Sequence, residues 1–215
     1  MAKEGVPYII LFIVPAAIFA ALGWWIAAAG CFLLAAFMAF FFRDPERQCP
    51  SDDHLVISPA DGRVVAVSPV EPGVKGSPTQ ISIFLSPMNV HINRAPIGGE
   101  ITEVIYKRGA FHVASRDIAS VENEQNIVTI RGRHVTIMFR QIAGLLARRI
   151  VLWKKQGDMV APGERVGLMK FSSRMDVIVP SEVEVLVRKG DRVVAGVTVL
   201  GRLTGPVERC MTPEP

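Results

Sequence analysis

The sequence predicts a mainly β fold, a flattened barrel or sandwich with hammerhead-like G-D-x-V-x-x-G repeats, behind an N-terminal α-helical membrane hairpin. Three observations carry this. Residues 6–42 hold no charged side chain. Beyond residue 50 the chain breaks into short β-branched runs punctuated by Gly and Pro. Near the C-terminus a Gly-Asp turn pattern occurs twice.

The apolar front, PYIILFIVPAAIFAALGWWIAAAGCFLLAAFMAFFF, would be roughly 54 Å long as one helix, against a hydrocarbon core of about 30 Å. A break is expected at Gly23, where Trp24 and Trp25 suit the headgroup level. Lys3 then lies on the same side as Arg43 and Arg47, the positive and hence cytoplasmic side. Residues 1–45 are the expected anchor, either a spanning hairpin or a monotopic re-entrant one, since each half is at the short end for spanning. A secretory signal is excluded: its apolar region runs about 7–15 residues, and RDPERQCP offers no small-residue cleavage site.

The 215 residues leave room for one further domain, expected over 46–215. Cys31, Cys49 and Cys210 are spaced for neither a disulfide framework nor a metal, which fits a reducing compartment. The net charge of +4 suits an anionic membrane surface, and no basic stripe with interleaved aromatics points to nucleic acid.

The strand candidates in order are VISPADGRVVAV, TQISIFLS, GEITEVIYKRG, NIVTIRGRHVTIMFRQI, RRIVLW, VIVPSEVEVLV and RVVAGVTVLG. Asp61-Gly62, Gly98-Gly99 and Gly190-Asp191 supply turns between them. Residues 144–149 and 87–92 leave room for short helices. The echo pairs GDMVAPGERVG from Gly157 with GDRVVAGVTVLG from Gly190. In each, Gly-Asp makes a turn, the valine enters a strand and the second glycine allows another bend. Such units occur in lipoyl and biotinyl carrier domains, membrane-fusion adaptors and some zinc peptidases, so they indicate architecture and leave function open.

Among four histidines, His134 sits in the strand-like RGRHVTIMF and reads as structural, while His54 follows Asp52 and Asp53 in a linker and reads as solvated. His91 differs. LSPMNVHINRAP brackets it between prolines with Asn89, Asn93 and Arg94 nearby, as in functional loops. Asp61, in SPADGRV, is explained by its turn alone. No H-x-H or H-E-x-x-H is present, so no metal is expected. A carrier lysine would be Lys170, but GLMKF lacks the second methionine of a biotinyl hairpin. A membrane-tethered carrier or adaptor without enzymatic activity is the alternative reading.

Taken together and in order, FFRDPER, SPADGRV, FLSPMNVHINRAP, FHVASRDIASVENEQN, QIAGLLARRIV, FSSRMDVIVP and KGDRVVAGVTVLG resemble the short, membrane-anchored prokaryotic phosphatidylserine decarboxylases over essentially the whole chain. The resemblance implies a pyruvoyl-dependent carboxy-lyase that turns phosphatidylserine into phosphatidylethanolamine. It also implies a proenzyme that cuts itself at Ser172-Ser173 into chains 1–172 and 173–215, which remain together as a heterodimer or in a higher oligomer. Ser173 would attack the preceding carbonyl to form an ester, and its own remnant would become the pyruvoyl cofactor. His91 is implied as the base and Asp61 as its orienter. Two departures stand out. The family's glycine before the serine is Ser172 here, and where larger bacterial relatives carry a second histidine this chain has Arg94. A competing register has Ser172 attacking Phe171.

Overall fold

The uncharged N-terminal run folds as two helices, α1 (Val6–Ala21) and α2 (Trp25–Phe41), because Gly23, at φ +77°, turns the chain in a region that disfavours other residues. The structure, a computed structural model, describes residues 1–110, 112, 122–144, 150–171 and 173–204. Pro7 occupies the first turn of α1, where a missing N–H leaves nothing unsatisfied. Large apolar side chains point away from the protein along the hairpin, among them Leu11, Ile18, Trp25, Ile26 and Leu33. The 19 residues of Lys3–Ala21 are long and apolar enough to cross a membrane, and α2 spans about 26 Å.

The open end of the hairpin is tied to the rest of the chain. Ala2 N–H donates to Phe42 O at 2.9 Å, Tyr8 stacks on Phe42 at 5.4 Å, and Trp153 Nε1 donates to Glu4 Oε1 at 2.7 Å.

Among the described residues fourteen strands follow: β1 (Leu55–Ile57), β2 (Gly62–Pro69), β3 (Thr79–Leu85), β4 (Ile92–Arg94), β5 (Gly99–Lys107), β6 (Gln125–Arg131) and β7 (Thr136–Ile142), then β8 (Ile150–Leu152), β9 (Met159–Val160), β10 (Arg165–Met169), β11 (Ser173–Val179), β12 (Val183–Val185), β13 (Arg192–Val193) and β14 (Val199–Leu203). A curled antiparallel sheet runs β13-β2-β3-β11-β7-β6-β5-β9, and two small sheets, β1-β14-β12 and β4-β10-β8, close over it. Between them lies one apolar core, including Val64, Ile81, Ile83, Leu85, Ile137, Phe139, Met175 and Val177.

This order is its own mirror about the β11–β7 pair, and the hydrogen bonds obey the same pseudo-dyad. Ile57 N–H donates to Pro96 O at 2.8 Å and Arg94 N–H to Pro59 O at 2.9 Å. Gly196 N–H donates to Ser58 O at 2.8 Å and Gly163 N–H to Ala95 O at 2.9 Å. The repeated Gly-Asp turns match as well: Asp158 Oδ2 accepts from Lys155 N–H and Asp191 Oδ2 from Arg188 N–H, each at 2.9 Å. Gly163 and Gly196, both at φ +72°, meet near the axis. The fold is thus a duplicated unit in which β4–β10 interrupt the first copy between β3 and β11.

Two local expectations change, and a third falls mainly outside the described residues. The run NIVTIRGRHVTIMFRQI is two strands with a hairpin at 132–135, so His134 is exposed on the turn with its ring 4.9 Å from that of His54. Residues 87–92 form no helix. Asn89 N–H closes a turn onto Ser86 O and its Oδ1 accepts from Ser86 N–H, both at 2.9 Å, before the chain enters β4. The helix expected over 144–149 falls mainly on 145–149, outside the described residues.

Candidate active site

Where β10 leaves its small sheet and β11 enters the large one, the chain brings His91 and Ser173 to the same corner. Ser173 is registered opposite Leu85, six residues before His91, while His91 O accepts from Met169 N–H at 3.2 Å, four residues before Ser173. Both residues are fully buried. His91 Nε2 and Ser173 Oγ have no hydrogen-bond partner among the described residues. Buried polar atoms are nearly always paired, so two orphans at one corner indicate groups held for chemistry.

The tautomer of His91 follows from its other nitrogen. Nδ1 faces Asn89 O at 3.0 Å, and a carbonyl can only accept, so Nδ1 carries the proton and Nε2 keeps a lone pair. Burial pushes the His91 pKa down to about 4; the Asn89 hydrogen bond and the charge of Asp61 oppose this, and Arg43 adds to it. At neutral pH His91 is therefore an uncharged base.

Asp61 stands nearby but is otherwise engaged. Arg47 grips its carboxylate with two nitrogens, at 2.5 and 2.9 Å, and Ala195 N–H donates to it at 2.8 Å. Its influence on His91 is through charge, while the Asn89 carbonyl sets the ring's orientation. Arg94 stands away from this proton chemistry. Its guanidinium donates to Gly163 O at 2.9 Å and Pro45 O at 3.0 Å, tying the chain after α2 to a Gly-Asp repeat.

The wall of the corner comes from the hairpin. Phe41, at the end of α2 and fully buried, lies with its ring 4.2 Å from His91 and 4.5 Å from Phe171. Phe171 has φ +47°, which no other non-glycine among the described residues shares in sign. A left-handed conformation costs such a residue on the order of 1–3 kcal/mol and survives where surroundings enforce it, often at functional sites. Here the stacked rings enforce it, two residues before Ser173. Ser172 lies outside the described residues.

A cavity of about 490 Å³ adjoins the loop before His91, lined by Ser86, Met88 and Asn89 with the exposed Arg63 and Arg192. Lys170, the lysine considered for a carrier, lies beside Tyr8, its Nζ 5.2 Å from the ring centre. Among the described residues no group of three or more His, Cys, Asp or Glu side chains could hold a metal ion.

The sequence brought forward His91, Asp61 and Ser173 and placed Asn89 near His91, but gave no sign of Arg47 or Phe41 as their partners. Phe41 was hidden in the apolar run and Arg47 in a linker, and nothing short of the fold connects them to the site.

The model of a protein family described as phosphatidylserine decarboxylase matches residues 34–201. Curated relatives are similar along nearly their whole length. A phosphatidylserine decarboxylase proenzyme of Solibacter usitatus is 49% identical over 94% of this chain and 96% of its own. That of Symbiobacterium thermophilum is 47% identical over 94% and 95%, and that of Magnetococcus marinus 44% over 95% and 96%.

Proposed function

From the premise that this chain belongs to the phosphatidylserine decarboxylase family, we propose that it decarboxylates phosphatidylserine to phosphatidylethanolamine after cutting itself between Ser172 and Ser173. The observation that carries the proposal is the pair of buried, unpartnered atoms His91 Nε2 and Ser173 Oγ at one corner.

His91 Nε2 takes the Ser173 hydroxyl proton, and Oγ adds to the carbonyl carbon of residue 172. The C–N bond then breaks, nitrogen takes up the proton, and an ester replaces the amide. Loss of the Ser173 Cα proton expels the carboxylate of residue 172, and water converts the remaining dehydroalanine into a pyruvoyl group and ammonia. The strained Phe171 beside the scissile bond favours departure from the planar amide, and Asp61 stabilises the His91 imidazolium by its charge. The site suits the group: residue 173 is buried and a neutral base stands ready. The pyruvoyl carbonyl would supply the electron sink when carbon dioxide leaves.

Residues 1–45 anchor this site at the bilayer with the catalytic domain 46–215 on the cytoplasmic side, so the lipid is processed without being extracted. Arg63 and Arg192 at the adjoining cavity suit an anionic headgroup. Wild-type protein given vesicles of carboxyl-labelled phosphatidylserine releases labelled carbon dioxide; no release would refute the assignment.

The two chains stay together after cleavage. β11 pairs with β3 along all of Ser173–Val179 and with β7 on its other edge, so the small chain is the middle of the large sheet. Both chains should co-elute in mild detergent and separate only in denaturant, as gel filtration with mass detection would show.

The pH dependence of maturation follows from His91. Its folded pKa of about 4 lies below its ordinary 6.5, so the base is neutral above about pH 5 and self-cleavage slows only as pH falls through about 4. The same depression costs stability as pH falls from 6.5 toward 4, where the unfolded chain binds the proton and the folded one does not. Replacing Phe41 with Ala costs about 3–5 kcal/mol of packing and admits water, moving the acid midpoint of cleavage up toward 6.5. Cleavage time courses across pH for both proteins check this.

A further inference from the structure

Three buried amides form a hydrogen-bonded chain beside the strand that carries Ser173. Asn126 Nδ2 donates to Gln141 Oε1 at 3.2 Å, and Gln141 Nε2 donates to Asn93 Oδ1 at 2.8 Å. Each link fixes the direction of the next, so the line ends on Asn93 Nδ2, a donor with nothing to donate to among the described residues. Asn93 is fully buried and stands two residues from His91.

The same layer contains Ser173. Gln141 on β7 is registered opposite Met175 on β11, two residues from Ser173 on the same face. Such diagonal neighbours lie about 7–8 Å apart. The end of the Gln141 amide is what holds Asn93. The corner thus holds three unpartnered polar atoms of different kinds: a nucleophile in Ser173 Oγ, a base in His91 Nε2 and a neutral donor in Asn93 Nδ2.

We propose that Asn93 is a further catalytic residue, whose Nδ2 hydrogen-bonds the oxyanion created at the carbonyl of residue 172 when Ser173 attacks it. This rests on the self-cleavage proposed above. As Oγ bonds to the carbonyl carbon, the C=O π pair moves onto oxygen, which accepts from Nδ2. When the C–N bond breaks that pair returns and Nδ2 is released. A donor fixed in advance in a buried site stabilises the developing charge without reorganisation, and losing one such donor slows a reaction by about 10²–10³-fold. The relay from Asn126 and Gln141 keeps Nδ2 aimed before any charge appears.

The test follows maturation of the full-length chain by intact mass, with thermal melts to confirm folding. Asn93→Asp keeps the acceptor for Gln141 and loses the donor; Asn93→Leu removes both at similar volume. Whichever variant folds should mature about 10²–10³-fold more slowly than wild type. Its precursor should resist hydroxylamine, which cuts esters and spares amides, because the block lies before the ester. A folded variant that matures within about threefold of wild type, or whose precursor hydroxylamine splits, overturns the role of Asn93. Should the wild-type chain itself remain uncut, the self-cleavage reading falls instead.

Discussion

Ser173→Ala yields one uncut chain that releases no carbon dioxide from phosphatidylserine, yet melts no lower than the uncut wild-type precursor. The loss is complete because in the proposed reaction one hydroxyl serves as both the attacking nucleophile and the source of the cofactor. The stability follows from the site's cost: Ser173 Oγ is buried with no partner among the described residues, and an unsatisfied buried hydroxyl costs about 1–3 kcal/mol. Each kcal/mol recovered raises the melting temperature of a chain this size by about 2–4 °C. A gel and a thermal melt of the variant read both halves of the prediction. A Ser173→Ala protein that still splits before residue 173 would remove the proposed nucleophile.

His91→Phe is the second large effect. Phenylalanine fills the same slot and keeps the aromatic stack between Phe41 and Phe171, so folding is preserved while the Nε2 lone pair is lost. Removing a positioned base slows proton transfer about 10²–10⁴-fold, so the precursor should accumulate at that ratio. His91→Ala should also accumulate precursor, with an added packing loss. Normal maturation of a folded His91→Phe chain would show that another group takes the Ser173 proton.

Much of the architecture was legible because it rests on local chemistry. Gly23 ends α1 where a charge-free run had to break, and the paired Gly-Asp turns carry the same hydrogen bonds in both copies. The wider duplication was not. Ser58-Pro59 and Ala95-Pro96 are equivalent in the fold but share little beyond a proline, since the matching contacts are made by backbone atoms. His134 was misplaced because RGRH, which carries the turn, was read as part of a continuous strand run.

At the site, sequence brought forward candidate side chains and missed those that surround them. Asp61 was expected to orient His91, but Arg47 and the Ala195 N–H hold its carboxylate, and the orienting atom is a backbone oxygen, which no side-chain pattern encodes. Phe41 was read as part of the apolar run, since burial against His91 is a property of the folded corner. The last turn of the hairpin thus forms a wall of the corner that holds His91 and Ser173.

The central claim is that this chain makes its own cofactor from Ser173, and intact mass of the protein from active membranes tests it most directly. The account predicts two chains, 1–172 and 173–215, the small one lighter than its sequence by one ammonia and refractory to N-terminal sequencing. A full-length chain that decarboxylates phosphatidylserine, or a small chain with a free N-terminal serine in the active protein, would contradict it.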